Sequence, residues 1–264
     1  MEFGLKLAGV GAIAFAVGFI GAMAGLVLGS LRLPVVVALT PTPAIAAGTN
    51  IAISALSALS GTFRHWREGR VSGVLLASMG TASIVGAFVG GFYSRLIHPP
   101  FLLALIGVVL VQSGIRMGFP RQSPAAARRP PPSEKPNPHV RVLCLGSGLG
   151  LIIGLLGGMV GLVLGALRLP AMIRWMGVDP RIAAGTNMAI GFLTGVFGFL
   201  GHLLHAEFDP WILGVMGAGA MWGANQGARV TGRVDPDRLR RWIGWLLCLM
   251  GAVMLFHAAS DWLG

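Results

Sequence analysis

Charge is what this chain has least of: 11% of its 264 residues are charged, against 55% hydrophobic. A soluble globular domain carries roughly a quarter charged residues, so that class is excluded. Acids are scarcer still, nine in all, and every one (Glu2, Glu68, Glu134, Asp179, Glu207, Asp209, Asp235, Asp237, Asp261) falls in a loop or tail of the apolar pattern. That placement argues against the intramembrane carboxylates that usually bind protons or sodium. The two cysteines, Cys144 and Cys248, have no CxxC spacing, which excludes a disulfide framework and a thiolate metal site. His202 and His205 stand at i, i+3 without a third ligand in view, so no metal is expected. No phosphate-binding loop and no soluble domain are present, which excludes ATP hydrolysis within the chain; no cofactor and no enzymatic activity are expected.

What the chain has is apolar length. Mean hydropathy is +0.77, and apolar runs of about 18 residues or more recur, each able to cross roughly 30 Å of hydrocarbon as a helix. Alternating segments of about ten residues, the mark of a transmembrane barrel, are missing. The fold expected is an all-α integral membrane protein. The net charge of +11 sits in short loops between apolar runs, as membrane topology requires, and not in a nucleic-acid patch.

The sequence is also duplicated. GFIGAMAGLVLGSLRLP, from Gly18 to Pro34, returns as GLLGGMVGLVLGALRLP, from Gly154 to Pro170, with 12 of 17 positions identical. IAAGTNIAI, from Ile45, returns as IAAGTNMAI, from Ile182. Two units follow, residues 1–118 and 140–264, joined by a linker over 119–139 (FPRQSPAAARRPPPSEKPNPH), whose proline and charge predict an extended segment outside the bilayer. Four crossings per unit would split Lys and Arg evenly between the two faces. Adding residues 31–43 and 167–181 as crossing or re-entrant segments places 64–70, the linker and 229–241 on one face and leaves only Lys6 and Arg95 opposite. That cytoplasmic bias favours five segments per unit and inverted copies.

Each unit sets an arginine, Arg32 or Arg168, just before a proline in very apolar sequence. At mid-membrane an arginine costs about 2.5 to 3.5 kcal/mol on insertion scales. Either both snorkel to the headgroups, or they are fixed charges flanking an anion path. The glycines Gly18, Gly21, Gly25, Gly29 and Gly154, Gly157, Gly161, Gly165 line one helical face each and suit close packing. With the prolines they predict a helix break near each arginine, freeing N–H groups that suit an anion. Thr49, Asn50, Thr186 and Asn187 read either as helix caps or as neutral donors to an oxyanion. His65 and His202 match at the repeat offset and read as interfacial. Asn225-Gln226, where the first unit has Phe88-Val89, is a secondary candidate site. Trp66, Trp211, Trp242 and Trp262 lie at span ends, where indole rings favour the interface.

Together these features resemble the sulfite exporter TauE/SafE family, also called the toluene-sulfonate uptake permeases. That family's glycine-rich segment, GxGGGxxxxP, is matched by Gly25, Gly29 and Pro34 and again by Gly161, Gly165 and Pro170; its AAGT(S/N) segment is matched by Ala46 to Asn50 and Ala183 to Asn187. Val27-Leu28 and Val163-Leu164 replace two family glycines, and both arginines fall at a variable family position. The resemblance implies a secondary transporter or facilitator of a sulfur-containing oxyanion (sulfite, a sulfonate or sulfoacetate) in a bacterial inner membrane. Export follows the membrane potential, at about 2.3 kcal/mol per charge per 100 mV. The expected partners are a small anion, the lipid bilayer and, among the assemblies admitted, a homodimer. The rival is a non-transporting assembly or partner-binding membrane protein whose glycine faces meet another chain.

Overall fold

A computed structural model describes residues 2–23, 27–118, 138–174, 176, 178–229 and 236–263. Among them there is helix and no strand: α1 (Glu2–Met23), α2 (Gly29–Leu39), α3 (Pro43–Arg67), α4 (Gly73–Leu75), α5 (Thr81–Tyr93), α6 (Pro99–Gly118), α7 (Pro138–Val160), α8 (Gly165–Arg174), α9 (Pro180–Leu203), α10 (Pro210–Arg229) and α11 (Pro236–Leu263). A π-helical stretch, Leu76–Gly80, joins α4 to α5, and a 3-10 turn, Ser94–Leu96, ends that span. Six of these helices begin on proline. Proline has no N–H to leave unpaired at a first helical position and its φ is already set, which fixes where they start.

Four spans are long and apolar enough to cross a bilayer: Pro43–Arg67, Gly73–Leu96, Pro99–Arg116 and Gly185–Leu203. The chain is a multi-pass membrane protein. Large apolar side chains face outward, among them Ile152, Trp222, Leu249 and Phe256, an arrangement that only a lipid surround stabilises. Trp66, Trp211, Trp242 and Trp262 are exposed at helix ends. The segment expected over 31–43 is α2, 11 residues long, or about 16 Å at 1.5 Å per residue. It covers half a bilayer, as does α8 with 10 residues. Most of the linker, 119–137, lies outside the described residues.

Backbones approach so closely at the glycine faces that a Cβ has no room. A Cβ on Gly219, Gly223 or Gly227 of α10 would fall 2.6, 2.1 or 2.1 Å from the carbonyl of Gly11, Phe15 or Phe19 of α1. The numbers rise together, so α1 and α10 run parallel. In the same way Gly86 and Gly90 of α5 meet Leu155 and Met159 of α7, and Gly154 and Gly158 meet Ser83 and Ala87, which makes that pair parallel too. For α3 and α9 the numbers run in opposition: Ile51 meets Gly198, Ala55 meets Gly195, and Gly61 meets Met188. They are antiparallel, and so are α6 and α11, where Gly107 meets Gly251 and Gly114 meets Gly244. The first helix of each unit therefore packs on the other unit's fourth span, and the units interlock. Small residues permit this, and close backbone contact is what holds helices together in lipid.

Candidate functional site

The break after α7 is built on Gly161, whose φ is +73°. Leu162 N–H donates to Gly157 O at 2.8 Å and Gly161 N–H to Gly158 O at 3.3 Å, the pairing that closes a helix on a left-handed residue. A Cβ at Gly161 would lie 2.2 Å from the backbone of Ala47, so the position admits only glycine. Its repeat partner, Gly25, lies outside the described residues. After each break a short helix begins on glycine. A Cβ on Gly29 would strike Ser54 Oγ at 2.3 Å, and one on Gly165 would strike Asn187 Nδ2 at 2.7 Å. These two glycines open the space into which side chains of α3 and α9 reach.

Arg32 and Arg168 both lie inside the helix packing, each 1% exposed. Neither snorkels to the surface of the fold. Arg32 is held: Nε donates to Asn50 Oδ1 at 3.0 Å, and Nη2 donates to Ser54 Oγ at 2.9 Å and to Asn50 O at 3.5 Å. Asn50 Nδ2 donates in turn to Gly161 O at 2.8 Å, which ties the first arginine to the break in the second unit. Arg168 is not held. Its Nε and Nη1 are buried without a hydrogen-bond partner, as is Asn187 Oδ1. The sequence explains part of this asymmetry, since the residue corresponding to Ser54 is Gly191, which has no hydroxyl.

The backbone N–H groups expected to await an anion are largely spent within the chain. Gly165 N–H donates to Val163 O, and Leu167 and Arg168 N–H both donate to Leu164 O. Leu31 N–H likewise donates to Leu28 O. At the second break the guanidinium of Arg168 adds buried donors without a partner.

The AAGTN segments do not cap their helices. Both lie beyond the first turn of a long helix and clasp the opposite unit. A Cβ on Gly48 would fall 1.9 Å from Glu207 O, and one on Gly185 would fall 2.2 Å from Arg70 O. Thr49 Oγ1 donates to Ile45 O at 2.8 Å and accepts Asp209 N–H at 2.9 Å. Thr186 Oγ1 accepts Ser72 N–H, also at 2.9 Å. Glycine admits the incoming turn, threonine takes its N–H, and in the first unit asparagine reaches on to the break. Asn225 is exposed and Gln226 half-buried on α10, with no hydrogen bond to either arginine.

The sequence pattern misses one cluster. His202, expected at an interface, is wholly buried, and Glu207, expected in an outer loop, is 7% exposed. The turn after α9 folds Glu207 back so that Oε2 lies 2.9 Å from His202 Nδ1 and accepts from Ser94 Oγ at 2.9 Å. The available signal was the short separation of His202 and Glu207 across a tight turn. Ser94, from the other unit, gave none.

Sequence comparison agrees with this architecture. Residues 10–254 match the family described as Sulfite exporter TauE/SafE. The chain is similar to the probable membrane transporter protein YunE of Bacillus subtilis (strain 168), 23% identical over 234 residues, covering 82% of each chain. It is also similar to the probable membrane transporter protein YdhB of the same strain, 27% identical over 247 residues, covering 90% of this chain and 94% of the relative. No solved structure matches the chain. With its paired glycine, arginine and AAGTN elements inside a match that spans nearly its whole length, the chain belongs to the sulfite exporter TauE/SafE family of membrane transporters.

Proposed function

We propose that this transporter moves a small sulfur-containing oxyanion, sulfite first among them, outward across a bacterial inner membrane without enzymatic chemistry. One observation carries the reading: Arg168 is buried with Nε and Nη1 unpartnered. An unpaired buried donor costs about 1 to 3 kcal/mol, and more when charged. A guanidinium with free N–H groups on two of its nitrogens suits an oxyanion, whose oxygens only accept. No described carboxylate pairs with either arginine, so the compensating charge comes from the guest.

The parallel and antiparallel registers support inverted units, with loops 64–70 and 229–241 and the linker on the cytoplasmic face. On that reading α3 enters from outside and α9 from inside, and Asn50 and Asn187 each lie a similar depth into the helix that carries them. Arg32 is then an outer station taken up by Asn50 and Ser54, and Arg168 an inner station with donors unsatisfied by the chain. Among the described glycines of these faces, Gly18, Gly29, Gly154, Gly157, Gly161 and Gly165 meet atoms of this chain, which weighs against the partner-binding alternative.

The test is sulfite efflux from proteoliposomes loaded with the wild type, Arg168→Gln or Arg32→Gln. Arg168→Gln is expected to lower efflux at least tenfold while the protein remains folded. Equal efflux in all three would remove the arginines from the mechanism.

A further inference from the structure

We propose that Ser94, His202 and Glu207 form a buried proton-binding site that clamps the α9–α10 turn onto α5 and α7, and that loss of its proton opens the clamp. Only the last consequence, control of anion passage, rests on the transport reading above.

The argument is a count of hydrogens. His202 Nε2 lies 2.9 Å from Gly158 O, and a carbonyl only accepts, so Nε2 carries a hydrogen. Nδ1 then faces Glu207 Oε2 at 2.9 Å and Ser94 Oγ at 3.2 Å, while Ser94 Oγ lies 2.9 Å from the same Oε2. The serine hydroxyl supplies one hydrogen, and it points at Oε2. If Nδ1 and the carboxylate were both bare, two lone pairs would oppose each other at contact distance. One further proton must therefore lie between imidazole and carboxylate. With it the pair is net neutral, whether written as imidazolium and carboxylate or as imidazole and carboxylic acid. Without it a negative charge is left on Glu207, itself only 7% exposed, and burial of a charge with no counter-charge is disfavoured.

Nothing else described shares the load. On the side of α5 and the turn after it, Tyr93, Arg95 and His98 are exposed. At this point α3 presents Gly48 and α7 presents Gly158, neither with a side chain. His205 turns aside to stack on Phe92, with ring centroids 4.6 Å apart. Asp209 spends its carboxylate on the N–H groups of Trp211 and Ile212. The proton is therefore held by these three side chains alone among the described groups, and the turn by them together with Thr49 Oγ1, which accepts Asp209 N–H.

The turn is also under tension. Ala206 has a φ of 55°, a left-handed conformation unfavourable for a residue with a Cβ, and Ala206 and Glu207 N–H donate back to Leu203 and His202. Such a conformation persists only while its surroundings enforce it. Gly158, which His202 holds, lies in the last turn of α7 before Gly161, whose carbonyl holds Asn50 and through it Arg32. Movement of His202 as the turn opens thus reaches, through Gly158, the elements that close the Arg32 station.

The test uses the full chain in nanodiscs with 15N-labelled histidine, His202 being assigned by its loss in His202→Gln. Across a pH series wild-type His202 is expected to pass in one step from the proton-sharing to the bare state, and amide exchange over residues 203–209, corrected for intrinsic rates, should quicken at least tenfold across that step. In Glu207→Gln the amide N–H donates permanently to Nδ1, so the step vanishes and exchange stays slow. Ser94→Ala, the smaller lesion, should move the step without abolishing it, and serves if Glu207→Gln fails to elute as folded protein. A bare Nδ1 throughout the series, or exchange over 203–209 that ignores the step, overturns the proposal. In proteoliposomes Glu207→Gln is expected to slow sulfite efflux at least tenfold at every pH; wild-type rates with an unchanged pH profile would overturn the control of passage. If the wild type itself carries no sulfite while the nitrogen and exchange results stand, the transport reading has failed and the proton site is supported.

Discussion

Replacing Gly191 by serine would give the second unit the hydroxyl that the first has in Ser54. In the first unit that oxygen accepts from Arg32 Nη2 at 2.9 Å while donating to Asn50 O at 2.8 Å, four residues from the asparagine in the same helix. Gly191 stands in the same relation to Asn187, so the new Oγ is placed to occupy the Arg168 guanidinium in an anion's stead. A hydrogen bond to a charged group contributes about 1.5 to 3 kcal/mol. An anion that must displace it binds about 10- to 150-fold more weakly, at 1.4 kcal/mol per factor of ten. The steric cost is separable: a Cβ at 191 would sit 2.9 Å from Val163 Cγ1, and Gly191→Ala carries that contact without the hydroxyl. Equilibrium binding of radiolabelled sulfite to the purified protein, with efflux as a second readout, should rank the wild type at or above Gly191→Ala and both well above Gly191→Ser. Equal affinity in the serine and alanine variants of folded protein would refute the assignment of the anion to Arg168.

Gly161→Ala should be the most damaging single methyl in the chain, because it meets both a φ of +73° and the Ala47 backbone at 2.2 Å. Strain at such a φ is about 1 to 3 kcal/mol before the clash is added, and thermal unfolding in detergent should show a large loss or no folded protein. Thr49→Val and Thr186→Val each leave one backbone N–H of the opposite unit unpaired, at about 1 to 3 kcal/mol apiece. Their effects on the unfolding midpoint should add, since the two clasps share no residue. Single cysteines placed in 119–139 and in 229–241 should react with an impermeant reagent from the same side of sealed vesicles; reaction from opposite sides would end the inverted arrangement.

The AAGTN segment illustrates why a duplicated motif is easier to detect than to interpret. Its recurrence is plain in the sequence, yet Gly48 and Thr49 act on Glu207 and Asp209, and Gly185 and Thr186 act on Arg70 and Ser72. Every partner lies more than a hundred residues away. Local reasoning therefore assigns these residues to caps or ligands, whereas their contacts are between units.

The sequence by itself determined the class of protein and its membership of a family, because apolar length, scarcity of charge and the paired motifs are properties of the chain that no folding event alters. It also pointed to a break ahead of each arginine through glycine, which acts on the backbone where it stands, whereas Pro34 and Pro170, expected to share in the breaks, lie inside α2 and α8. Only the tertiary structure decided which arginine is satisfied. Arg32 and Arg168 sit in nearly identical sequence, yet Asn50 accepts from Arg32 Nε while the equivalent Asn187 Oδ1 and Arg168 Nε are both left unpaired. Tertiary packing likewise carried Glu207 from an apparent outer loop into contact with His202 and Ser94. Hydrogen bonding depends on distances in space, and a linear pattern records those only where the partners are neighbours along the chain.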